Sequence, residues 1–154
     1  MFNNEKGQTL MELIVVSSVS IIIIGALVFA TISSLRNAQF AKNQAQATKL
    51  AQDGIEKVRS LRDRNGSYNV SQFNDLWAIS FSCSTSPNCY FKFSSSGGLV
   101  DGSSSTFEDI PPNFTRQVII EDSGANAKQV TVVVSWTDFA GVHASRLTTI
   151  LRKL

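Results

Sequence analysis

Between Leu13 and Ile32 lie twenty residues without a charge, and the residue just before them is a carboxylate, Glu12. Coiled into a helix, a run of that length spans ~30 Å, the thickness of a bilayer's hydrocarbon core. Ser17, Ser18 and Ser20 do not disqualify it, because in a helix their hydroxyls bond back to the preceding turn. Gly25 is its flexible point, and no proline occurs before Pro87, so nothing in the sequence forces a break. A carboxylate at the threshold of an apolar medium is costly unless a cation meets it. Glu12 therefore constrains the fold more sharply than any other residue.

The rest of the chain is of a different kind. At 154 residues there is room for one ordinary domain and a long additional element. Charged residues are 17% of the chain, the net charge is +2, and the Lys and Arg residues are dispersed, which supplies no strong electrostatic pull on nucleic acid. Beyond about Ser67, short apolar runs alternate with segments rich in Ser, Asn, Thr and Gly.

From Ser33 to Arg64 the sequence remains helical in character. Ala47, Leu50, Ala51, Gly54, Ile55, Val58 and Leu61 recur at three- and four-residue spacing, marking one apolar stripe. Asn65-Gly66 supplies a stop, with Arg59, Arg62 and Arg64 near the negative end of the helix dipole. A single helix from Gln8 to Arg64 would measure ~85 Å. The period then changes to two. Trp77–Ser82, Tyr90–Phe93, Thr115–Glu121, Gln129–Trp136 and Ala144–Leu151 read as strands, with Gly97–Pro112 as a polar loop and turns at Ser123–Asn126 and Phe139–Gly141. Val130, Val132, Val134 and Trp136 alternate with Thr131, Val133, Ser135 and Thr137, so one sheet face is buried. The fold class is α+β, a long helix with a small antiparallel meander leaning on its stripe.

Cys83 and Cys89 are the only cysteines, with five residues between them. A zinc site needs two more ligands, and a redox pair is more usually spaced by two residues. The spacing reads as a local disulfide closing a turn in an oxidising compartment, worth ~2 kcal/mol, with two free thiols as the alternative. No catalytic constellation, cofactor motif or phosphate-binding glycine loop emerges, and the reading is of a protein that is not an enzyme. His143 is the only histidine and has no acid or nucleophile partner in sequence. Asp101-Gly102-Ser103 and Glu108-Asp109 lack the ligand spacing of a calcium loop. Asn-x-Ser/Thr triplets at Asn65, Asn69 and Asn113 are of the kind that chance supplies in such a chain.

Three readings fit the amino-terminal segment. One is a secretory signal peptide, with Lys6 as its basic end and cleavage near Val28-Phe29-Ala30; another is a plain single-pass anchor. Neither gives Glu12 a role. The third rests on Gly7-Gln8-Thr9-Leu10-Met11-Glu12-Leu13-Ile14-Val15, which closely resembles the amino-terminal signal of type IV prepilins and of the pseudopilins of type II secretion. Residues 47–59 also resemble the corresponding helix of minor pilins and minor pseudopilins. The resemblance implies cleavage between Gly7 and Gln8 by a prepilin peptidase, N-methylation of Gln8, and Glu12 at the family's acidic position. Gln8 stands where the family usually has phenylalanine.

The resemblance further implies a pilin-like organisation: a leader at 1–7, a membrane and filament-core helix at 8–32, an amphipathic helix at 33–66, and a β-sheet head at 67–154. The implied location is the cytoplasmic membrane with the head outside, and then an extracellular or periplasmic filament. The implied partners are the prepilin peptidase and methylase, other pilin or pseudopilin subunits, an inner-membrane assembly platform and membrane lipid. No cofactor is expected. A rival reading is an adhesive or DNA-uptake subunit whose loop Gly97–Pro112 meets a ligand, with Tyr90, Phe91, Lys92, Phe93 and Arg116 as the candidate DNA contacts.

Overall fold

Helix α1 runs from Glu5 to Asp63 without interruption. The structure is a computed structural model that describes residues 5–63, 89–95, 98–124 and 126–152. It divides into two units, Met1–Ala41 and Lys42–Leu154. The helix begins three residues before the expected Gln8. The expected strand Trp77–Ser82 and stop Asn65-Gly66 lie outside the described residues.

In the first unit α1 is the whole structure. Its side chains from Thr9 to Ile32 are exposed around the full circumference of the helix. In the second unit the same helix is one-sided. Ala47, Ala51, Ile55 and Val58, spaced by three or four residues, are buried, while Gln52, Asp53, Glu56 and Lys57 on the other side are exposed.

The head's sheet is antiparallel throughout. Its strands are β1 (Cys89–Phe93), β2 (Leu99–Gly102), β3 (Glu108–Ile110), β4 (Phe114–Asp122), β5 (Ala127–Asp138) and β6 (Gly141–Arg152). The order is β2-β1-β4-β5-β6, and β3 also pairs with β4. β1 meets β4 at Val118–Ile120 and β3 meets it at Phe114–Arg116, so the two short strands share one edge of β4, end to end. The expected meander is present in β4-β5-β6, and the hairpin β1-β2 extends it.

The period-two pattern explains the core. Phe91, Phe93, Phe114, Val118, Ile120, Val130, Val132, Val134, Trp136 and Leu151 face the helix stripe and are buried with it. Each large apolar side chain so buried contributes ~1.5–3 kcal/mol of transfer free energy, an upper figure because unfolded chains already bury some surface. The two hairpin turns fall at glycines whose backbones need positive φ: Gly124 at +122° and Gly141 at +128°. After Asp138 the chain reverses in two residues, pairing Asp138 with Gly141.

Gly97–Pro112 departs from the expectation of an unpacked loop. It contains β2 and β3, and its polar residues pack through their backbone. The carbonyls of Ser103 and Thr106 accept hydrogen bonds from Gln117 Nε2 at 3.2 and 2.8 Å, which buries Gln117 on the outer face of β4. Leu99 and Ile110 lie against the core. Serine and glycine suppressed the strand signal, whereas backbone pairing to β1 and β4 overrode it.

Candidate functional site

The feature with the most chemistry to explain is the helix of the first unit. A helix that is apolar on every side is suited to apolar surroundings, and a single-pass anchor and a signal sequence share this character. α1 is long and apolar enough to cross a membrane, and none of its most apolar stretch is buried within the chain. The hydroxyls of the uncharged run Leu13–Ile32 are already satisfied. Ser17, Ser18, Ser20 and Thr31 donate to the carbonyls of Ile14, Val15, Val16 and Val28 at 2.8–2.9 Å, leaving no free donor to oppose transfer into lipid. A Cβ added at Gly25 would meet nothing within 4 Å, so that site holds no neighbour at close range.

Gly7 and Gln8 lie in the first turns of α1, and Glu12 is exposed one turn further on. The ion pairs among the described residues are all in the head and engage Asp53, Glu56, Asp63, Glu108, Asp122 and Asp138; Glu12 takes part in none of them. Gln8 and Glu12 are separated by four helical positions, a rise of ~6 Å on one face. The backbone therefore presents Gln8 and Glu12 together at the edge of the apolar surface.

In the head, the candidate residues for nucleic-acid contact are placed elsewhere than that use requires. Phe91, Phe93 and Arg116 are buried. Tyr90 and Lys92 are half-buried on the opposite sheet face. Arg116 is held by Glu108 through Nε and Nη2 at 2.9 and 3.1 Å, and its Nη1 donates to Asp53 Oδ2 at 2.9 Å and to the Leu50 carbonyl at 3.1 Å. Its guanidinium also lies 4.7 Å from the Phe93 ring centroid. One side chain thus ties β3, β4 and α1 together. Its position between Phe114 and Val118 in the inward register was the sequence signal, because a charge there must find partners.

The acid side of this cluster is electrostatically shaped. Partial burial works to raise the Asp53 pKa, but hydrogen bonds and charge from Arg116 and Lys57 outweigh it and hold the carboxyl below its ordinary 3.8. At the β5-β6 turn, desolvation likewise works to raise the Asp138 pKa. The Ala140 N–H, His143 and the Gly141 N–H together lower it. His143 therefore has an acid partner after all, 2.9 Å away, brought to it by the hairpin. Its ring also stacks on Trp136 at 5.4 Å.

Cys89 is disulfide-bonded. Cys83 lies outside the described residues. Among the described residues, no group of three or more His, Cys, Asp or Glu side chains is placed to hold a metal ion. No protein-family model, curated protein or solved structure matches this chain.

Proposed function

We propose that this chain is a structural subunit, a minor pilin or pseudopilin, of a type IV pilus-like or type II secretion filament. The observation that carries the proposal is Glu12 standing one helical turn from Gln8 at the edge of an exposed, uncharged helix, with Gly7 before it. Cleavage between Gly7 and Gln8 leaves an amine at Gln8, which the peptidase then methylates. In lipid, the helix anchors the subunit while the head stays outside. In the filament, helices of neighbouring subunits replace lipid as the apolar surroundings.

Glu12 acts as the axial pin in this mechanism. An unpaired carboxylate in an apolar bundle is strongly disfavoured, and the amine at Gln8 of an adjacent subunit neutralises it. Only some axial offsets bring the two charges together, so the pair selects register as well as tolerating burial. The apolar side chains supply attraction without direction. The head is the displayed surface, and Arg116 and the Ala47–Val58 stripe hold its sheet to the part of α1 within the same unit.

Glu12→Val tests this directly. The variant is expected to insert in the membrane like the parent and to be lost from sheared filaments. Incorporation at the parent's level would contradict the proposal.

A further inference from the structure

The two sides of the head's sheet carry opposite charge. On one side β6 is the last strand among the described residues, and Arg146 and Arg152 are exposed on it. On the other side stand β2 and β3, whose sequences contain Asp101, Glu108 and Asp109. Glu108 is held by Arg116. Arg146 and Asp109, both exposed, take part in no ion pair among the described residues.

Strand pairing sets these charges at one height. The row Ala144–Ser135–Thr115–Asp109 crosses the sheet from β6 to β3, and the row Leu147–Val132–Val118–Phe91–Asp101 crosses it from β6 to β2. Arg146 lies between the β6 ends of the two rows, and the acids lie at their far ends. Arg146 stands opposite Val133, and Val133 opposite Gln117, on the sheet face away from the helix stripe; Asp109, opposite Thr115, is on that face too. Three strand spacings, ~14 Å, separate β3 from β6, so Arg146 and Asp109 of one chain do not meet. A cleft of about 550 Å³ opens beside Asp109, with Asn113, Thr115 and Thr137 in its wall. The carboxylate and these polar groups accept the hydrogen bonds that a guanidinium donates. Ile110 and Phe114 line the same cleft and suit the aliphatic stem of an arginine.

We propose that Arg146 of one copy seats in the Asp109 cleft of a second copy, joining heads side by side across the sheet. A copy repeated in the same orientation presents its β3 to the neighbour's β6 at the height the rows define. Pairing of β6 with β6 would instead set arginines against arginines, the usual guard of a sheet edge. An ion pair left in water contributes little, so the cleft that encloses the side chain is what gives the contact strength. The two copies use different surfaces, so the contact repeats from copy to copy. It lies within the head and does not depend on processing at Gly7 or on Glu12.

The test uses the full chain in detergent solution without reductant, as two variants that each add one thiol: Thr148→Cys beside Arg146, and Asn113→Cys at the cleft. A short bismaleimide is expected to link a mixture of the two into dimers holding one of each, and to leave either variant alone almost unlinked. Adding Arg146→Glu to the Thr148→Cys chain is expected to lower the yield about tenfold, because like charges then meet across the contact. Adding Asp109→Arg to the Asn113→Cys chain is expected to restore it, a rescue that a purely structural role for either residue would not give. Both residues are exposed, so these variants are expected to keep the parent's melting temperature. Equal linking of Thr148→Cys alone assigns the edge to pairing of β6 with β6 and overturns the proposal. A yield indifferent to Arg146→Glu, a loss that Asp109→Arg does not restore, or an unlinked mixture overturns it equally. None of these outcomes bears on cleavage after Gly7, so this contact and the filament reading fail independently.

Discussion

Gly54 of α1 and Val132 of β5 meet with no space for a side chain. A Cβ on Gly54 would lie 2.9 Å from Val132 Cγ1 and 3.4 Å from Arg116 Cδ. Alanine is the better helix former by ~1 kcal/mol, but overpacking a stiff, buried valine costs ~1–3 kcal/mol. Gly54→Ala is therefore expected to destabilise the head by ~1 kcal/mol net, the middle of the overpacking range less the helix gain. A lower melting temperature of the full chain in detergent would show it; an unchanged or higher one would contradict the close packing.

Arg116 and Glu108 are coupled unequally. Arg116 is 2% exposed and Glu108 24%, so removing the acid strands a buried cation, whereas removing the cation leaves acids within reach of water. Glu108→Ala is expected to cost ~3 kcal/mol, the lower end of the range for a broken buried pair, because Asp53 still holds one side of the guanidinium. Adding Arg116→Met to Glu108→Ala is expected to recover part of that loss. A double variant no more stable than Glu108→Ala, measured by denaturant unfolding, would contradict this ordering.

Asp53 gives the head an acid-sensitive contribution. Its carboxyl is held below its ordinary 3.8, so the stability it confers is complete above that value and declines as pH falls through the lower folded value. Asp53→Asn is expected to flatten the stability–pH curve below pH 3.8, the ordinary carboxyl value, while leaving its shape at neutral pH unchanged. Equal acid limbs in the parent and the variant would contradict it.

The long elements were legible in the sequence because their periodicity is strong. The stripe Ala47–Val58 and the alternation Val130–Trp136 each expose one apolar face, and burial of that face determines both elements. β2 and β3 were not legible. They are short, and what sets them is pairing with β1 and β4 rather than any pattern of their own. The same non-local cause hides the two polar clusters: Arg116 finds Asp53 across 63 residues of sequence, and His143 finds Asp138 only once the hairpin closes. Gly7, Gln8 and Glu12 all fall within the first turns of α1.

Cys89 is disulfide-bonded, and Cys83 is the only other cysteine of the chain. Peptide mapping without reduction is expected to recover residues 83 and 89 cross-linked. Cys89→Ser is expected to lower stability by ~2 kcal/mol. Alkylation of both thiols in the native, unreduced protein would contradict the pairing.

The central claim is that the chain is processed and assembled through its amino terminus. Intact-mass and terminal-peptide spectrometry of the protein recovered from the cells that make it tests that claim most directly. The expected result is a mature chain beginning at N-methylated Gln8, with residues 1–7 removed. A chain that retains Met1, or one that begins near Thr31, would contradict it.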